Sequence, residues 1–512
     1  MDLNLAIVVL YLVAMLAFGF WGRSRTKNSS DYLVAGRRLG YFLYTGTMAA
    51  VVLGGASTVG GVGLGYKMGL SGMWLVVAIG VGVLLLSLLF AGTIQKLRVY
   101  SVSEMLDLRY GHKATGASSI VMLAYTIFLS VTSTGAYATV LHVLLGWDRW
   151  LCIVVGGGVV LVYSVIGGMW SITLADQVQF IIKTIGIFAL MLPFTLSKAG
   201  GFDGIRERMG DQAFNLVGDK NFGADPQTIL TWFVVFTLGL LIGQDIWQRV
   251  FTARSPEVAR WGGAAAGIYC IFYGAAGAVI GMAAHSSLGD KIKVKDDVYA
   301  EVADKILPVG IGGLVLAAAV AVAAMMSTAS GALIAAATVA RNDVVPMITG
   351  KAKATGESAE DPHSDKNIRE NRTWVLGLGI VIIAIAAWMS SLKAGGDIVV
   401  ASLTIAYDIL VGGLLIAILG GFVWKRGNGQ GAAASMIVGT VVTLGTMAVL
   451  AVQLGDPLLG ILDNKPIYFG LLASLVTFVA VSLATKPVRP EVREAWDARV
   501  SGRIETEGVR TS

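Results

Sequence analysis

Apolar runs of about 18 residues or more recur from one end of this chain to the other. Few folds accommodate that pattern. A backbone surrounded by lipid must satisfy its own N–H and C=O groups, so only helices and closed barrels cross a bilayer. The runs are continuous, not alternating, which selects helices. Charged residues make up 14% of the 512 positions, against about 25% in soluble chains. The chain therefore reads as an all-α polytopic membrane protein forming one bundle. About thirteen spans are expected, at roughly 3–22, 41–66, 71–95, 115–146, 149–168, 171–197, 228–250, 260–286, 309–340, 373–392, 398–423, 431–454 and 465–485. Residues 1–485 would form a single transmembrane domain and 486–512 a short cytoplasmic tail.

An odd number of spans puts the termini on opposite sides. With the N-terminus outside and the C-terminus inside, the inner segments hold about two-thirds of the 39 Lys and Arg residues, as the positive-inside rule requires. The expected location is the cytoplasmic (plasma) membrane. Basic inner loops also account for the net charge of +6, which then needs no nucleic acid. Cys152 and Cys270 fall in apolar segments and indicate neither a disulfide framework nor a zinc site. The first run lacks a basic n-region and reads as a retained helix. Residues 341–372 read as a solvated linker, and a short amphipathic helix is possible around 490–503. No metal-ligand spacing, nucleotide loop or nucleophile–base set is present, so an enzyme is not expected.

The second span holds the most informative stretch, Ala50-Val51-Val52-Leu53-Gly54-Gly55-Ala56-Ser57-Thr58-Val59-Gly60-Gly61. Each Gly costs about 1 kcal/mol against Ala inside a helix. A break at membrane depth is tolerable only where the freed backbone faces protein, water or a solute. The stretch reads as a discontinuous helix with an unwound backbone at a buried polar site. The plainer alternative is close helix packing on small residues. Far along the chain, Ser327, Thr328 and Ser330 follow an Ala/Val-rich run. Hydroxyls and bare carbonyls are hard oxygen ligands suited to an alkali cation. Pairing these hydroxyls with the break near Ala50–Leu53 would make an oxygen cage. Back-bonding of the hydroxyls to their own helix is the rival.

Charged and polar residues inside spans are functional candidates by default. Asp176, near the inner end of span six, either attracts a cation or starts a helix in solvent. Lys183 lies two turns deeper. It could pair with Asp176, act as a tethered cation near the ion site, or snorkel to an interface. Gln244 and Asp245 follow Leu238-Gly239-Leu240-Leu241-Ile242-Gly243, a second candidate break, and Asp245 either pairs with Arg249, the slightly favoured reading, or contacts solute. Asp408 sits mid-span as a lone acid. Trp74 either lines the outer approach or anchors a span end.

These residues resemble a sodium/solute symporter, of the family that includes proline, sugar, pantothenate and choline transporters. The strongest motifs are Gly167-Gly168-Met169-Trp170-Ser171-Ile172-Thr173-Leu174-Ala175-Asp176-Gln177-Val178-Gln179 and Ala324-Met325-Met326-Ser327-Thr328-Ala329-Ser330. Asp31–Arg37, Gly65-Tyr66 and Trp247-Gln248-Arg249 support them. The resemblance implies a leucine-transporter-type 5+5 inverted repeat, about 41–197 and 228–423, with one extra N-terminal and two extra C-terminal helices. It implies broken helices in spans two and seven. Sodium would be held by the carbonyls of Ala50, Leu53 and Ala324 and the hydroxyls of Ser327 and Thr328, with Asp176 and Ser330 along the ion pathway; Lys183, an ion-pathway candidate from its depth alone, departs from the family's pattern. A second sodium site would need two neighbouring hydroxyls, and only Ser330 of that pair is present, followed by Gly331. The style is nearest the choline-transporter branch, yet Val52 and Gly243 stand where that branch offers aromatic rings.

The resulting expectation is a sodium-coupled symporter that imports a small polar organic solute by alternating access. Solute would sit at the breaks, near Ser57, Thr58, Gln244 and Asp408, with Trp74 on the approach. Sodium is the co-transported ion, the bilayer is the surrounding partner, and no protein partner is required. Proton coupling through Lys183 or Asp176 is the runner-up, and a channel or sensor is a more distant one.

Overall fold

Glycine punctuation and membrane thickness together set the span boundaries. The computed structural model describes residues 3–111, 114–219, 222–292, 294–308, 321–349, 365–390 and 398–501. Among them nine helical stretches are long and apolar enough to cross a membrane, or ten if the bent pair Pro226–Leu240 and Gln244–Thr252 is one span. Two stretches are too long for a single crossing. Arg149–Ala199 has 51 residues, about 77 Å of helix at about 1.5 Å per residue, more than twice a hydrocarbon core of about 30 Å. It is broken at Gly168, whose φ of 57° and ψ of −147° are open only to glycine. Ala56–Lys96 is broken at Gly69 (φ 65°), so its first part completes the span begun at Tyr41. With α1 (Leu3–Arg25), the described residues supply thirteen crossings.

The remaining helices are named as they pack. They are α2 (Tyr41–Val52), α3 (Gly61–Met68), α4 (Trp74–Leu85), α5 (Thr115–Leu145) and α6 (Arg149–Thr184). Then follow α7 (Gln244–Thr252), α8 (Gly263–Leu288), α9 (Ala321–Val339), α10 (Asp365–Ser390) and α11 (Ile398–Val423). Last come α12 (Gly429–Leu454) and α13 (Lys465–Ala484). Without a hydrophobic drive between helices in lipid, small residues decide where backbones meet. Thus α1 lies along α6 through Gly22, where a Cβ would fall 2.6 Å from Ser171 Cα. Ser171 Oγ donates to Phe18 O across the same contact (2.9 Å). Among the described spans α11 is the most buried, at 78%, whereas α10, α12 and α13 are 22%, 33% and 28% buried and face outward.

Both expected breaks are present. α2 stops at Leu53 (φ −87°, ψ 64°) and helix resumes with a π turn at Ala56–Gly60. In span seven, helix stops at Leu240 and restarts at Gln244 with a 45° bend. The expected linker at 341–372 is shorter than anticipated. Helix runs on to Thr349 and α10 begins at Asp365, while residues 350–364 lie outside the described set. The tail does form a helix, Pro490–Ser501, held by Trp496, which is buried against Phe422 (5.4 Å between ring centroids).

Candidate functional site

A helix that ends inside a protein leaves its last four carbonyls without partners, and each must be accounted for. At the end of α2 all four are met by side chains. Lys183 Nζ donates to Ala50 O (3.1 Å) and to Leu53 O (3.2 Å). Thr328 Oγ1 donates to Val51 O (2.7 Å), and Ser57 Oγ to Val52 O (3.1 Å). The break is therefore a junction of α2, α6 and α9. The closeness of α9 depends on Gly54, where a Cβ would run into the Thr328 side chain.

Asp176 lies next to this junction and is fully buried, which excludes the solvated helix start. Its Oδ1 accepts from Ser327 Oγ (2.6 Å). Its Oδ2 accepts from Arg249 Nη2 (3.1 Å) and from Thr47 Oγ1. The expected Asp245–Arg249 pair is thus corrected, because Arg249 turns to Asp176. The guanidinium also fills the space beside Gly331, where a Cβ would lie 3.0 Å from Arg249 Nη2. Lys183 is fully buried, so it does not snorkel, and it points to carbonyls and not to Asp176. Ser330 bonds back to Ser327 O (3.1 Å), the local habit that competes with ion binding. Ala324 lies in α9 among residues whose contacts fall outside the described set.

A small, partly open cavity adjoins the break. It is walled by Val51, Val52 and residues 54–57 of span two, by Asp245 and Ile246 of span seven, by Thr328, and by Leu403 and Tyr407 of α11. It thus sits between the two breaks. Asp245 is its acidic group. The carboxylate is held at the start of α7, with Oδ1 accepting from Tyr125 Oη (2.8 Å), and Tyr125 packs edge-on against Tyr407 at 5.6 Å. Of the expected solute residues, Ser57 lines this space and the others are engaged elsewhere. Thr58 bonds Tyr273 Oη (2.9 Å). Gln244 spans the backbone of Val102 and Tyr100 (2.8 and 3.0 Å). Trp74 Nε1 donates to Leu216 O (2.6 Å). Asp408 is buried, its Oδ1 without a partner among the described residues, and it is away from the cavity wall. Sequence reasoning missed Thr47, Tyr125 and Tyr407. Each is a polar side chain inside an apolar run, which was the available signal.

Two broken helices facing one cavity, inside a bundle of membrane-length helices, define a secondary transporter of the leucine-transporter type. The chain belongs to the sodium:solute symporter family, whose sequence pattern matches residues 32–439. It is similar to sodium/glucose cotransporter 4 of Danio rerio, 24% identical over 97% of this chain and 81% of that protein. It is similar to sodium/myo-inositol cotransporter 2 of Mus musculus, 25% identical over 97% and 79%. Its fold matches that of a Na+-coupled sialic acid symporter in a substrate-bound outward-open state, with a TM-score of 0.76 and 18% identity over 96% of this chain and 99% of that one. The protein is a membrane-embedded sodium-coupled symporter of a small organic solute, and sodium is the ion it carries.

Proposed function

We propose that sodium is held during transport by the carbonyls of Ala50, Leu53 and Ala324 and the hydroxyls of Ser327 and Thr328. We further propose that the solute occupies the cavity between the two breaks. One observation carries this reading. Thr328 of α9 donates to Val51 O, between Ala50 and the Leu53 break, in a buried spot where Ser327 is also buried, and the cavity is lined by residues of the same break. An ion there touches two elements whose relative position controls access, so its occupancy biases their arrangement. The membrane potential is worth about 2.3 kcal/mol per charge per 100 mV. One sodium moving inward therefore drives roughly fifty-fold accumulation at that voltage, each ~1.4 kcal/mol being tenfold.

The solute is small, polar and able to donate hydrogen bonds or positive charge to Asp245. Sugars and polyols, the cargo named for the relatives, meet the first condition. Among the described residues the wall carries one aromatic ring, Tyr407, thin for a quaternary ammonium, which is held by several ring faces. The positive-inside bias supports an N-terminus outside, a C-terminus inside and a plasma-membrane location. The test is uptake into proteoliposomes from a solute panel, in sodium against potassium media. Ser327→Ala and Thr328→Ala are expected to raise the half-saturating sodium concentration without lowering the yield of folded protein. Unchanged sodium dependence in both variants refutes the ligand set.

A further inference from the structure

We infer that the Lys183 ammonium is the cation that fills the sodium cage when sodium is absent, and that sodium binds only when this ammonium leaves. The inference rests on the ligand set proposed above. Lys183 Nζ sits within hydrogen-bond distance of both Ala50 O and Leu53 O. An ion between those two carbonyls would claim the same lone pairs and the same volume. Charge points the same way. Three buried ionic side chains meet here: Asp176, from one turn-pair earlier on the same helix, Arg249 from α7, and Lys183 itself. Cys270 of α8 is the other titratable group facing the lysine. Asp176 is already ion-paired with Arg249, whereas the ammonium is bonded only to backbone carbonyls among the described residues. Sodium arriving beside it would put two cations in one water-poor site. A helix C-terminus favours a single cation, and either one satisfies it.

The exchange has a mechanical meaning. The lysine ties the end of α2 to α6, whereas the proposed sodium ligands tie it to α9. Swapping one cation for the other releases the tie to α6 and adds to the tie to α9 that Thr328 already makes through Val51 O, with no change in charge at the helix end. A lysine that merely capped the helix would contribute stability and leave sodium affinity alone.

The experiment is a sodium titration of the detergent-purified full chain at constant ionic strength, balanced with potassium. It is read by thermal unfolding and by binding of radioactive sodium. Lys183→Met keeps a long flexible side chain and removes the competitor. Its half-saturating sodium is expected to fall at least tenfold, and its stability in the absence of sodium is expected to drop. If Lys183→Met cannot be purified, Lys183→Arg carries the test. A guanidinium grips the two carbonyls more firmly and is expected to raise half-saturating sodium severalfold. Unchanged sodium affinity in the variant measured overturns displacement. Ser327→Ala and Thr328→Ala in the same titration separate the two claims. If they leave sodium affinity unchanged, the ligand set is wrong and displacement loses its site. If they shift it while Lys183→Met does not, the ligand set stands and displacement alone falls.

Discussion

Replacing Asp176 by Asn tests the buried centre with the least change in shape. The carboxylate takes three donors, Ser327 and Thr47 through hydroxyls and Arg249 through its guanidinium. An Asn oxygen can keep the Thr47 and Arg249 bonds, and its amide nitrogen can face a Ser327 hydroxyl rotated to accept. Packing is therefore retained while the charge is lost. What remains is Arg249, 1% exposed, with its paired carboxylate gone and Asp245 acting on it only at longer range. At the observed 3.1 Å and an effective dielectric of about 20, the pair is worth roughly 5 kcal/mol of Coulomb energy. Removing one partner of a buried pair costs about 3–5 kcal/mol in measured cases. Asp176→Asn is thus expected to lose about 3–5 kcal/mol. The assay is unfolding of purified protein in sodium-free buffer, run as a double-mutant cycle with Arg249→Met. The double variant is expected to recover about 1–3 kcal/mol of the summed losses. A single variant within about 0.5 kcal/mol of wild type, or strictly additive losses, refutes the argument.

Two further outcomes follow from the same geometry. Asp245→Asn should leave stability within about 1 kcal/mol, because Tyr125 still finds an acceptor, yet it should weaken solute-dependent thermal stabilisation across the panel at least tenfold. Stabilisation equal to wild type would remove Asp245 from the solute site. Gly22→Ala should cost about 1–3 kcal/mol, read as a lower unfolding temperature, since its Cβ meets the Ser171 backbone at 2.6 Å. A neutral result there would show that α1 can shift off α6 freely.

How much of this was legible depended on distance along the chain. The span two break could be read from Gly54, Gly55 and the hydroxyls after them, because a helix interior tolerates that composition poorly. Ser327 and Thr328 stood out as hydroxyls in an Ala/Val run. The destination of each polar side chain was not legible, since it is settled by partners far away in sequence. Arg249 is spaced one helical turn from Asp245, which favours a local pair, but Asp176, 73 residues upstream, is buried and accepts it instead. Lys183 reaches backs of carbonyls 130 and 133 residues away, and nothing local announces that. Gln244 looked like a solute ligand because it follows a break, yet an amide has both a donor and an acceptor. It is used to stitch the Tyr100–Val102 backbone to that break.

The complete pairing of the four carbonyls at the end of α2 bears on how such a carrier goes back empty. A bare helix end at mid-membrane invites a thread of water, and protons or stray ions follow water. Here every acceptor is already engaged by Lys183, Thr328 or Ser57. In this arrangement the helix end offers no free acceptor from which such a thread could start.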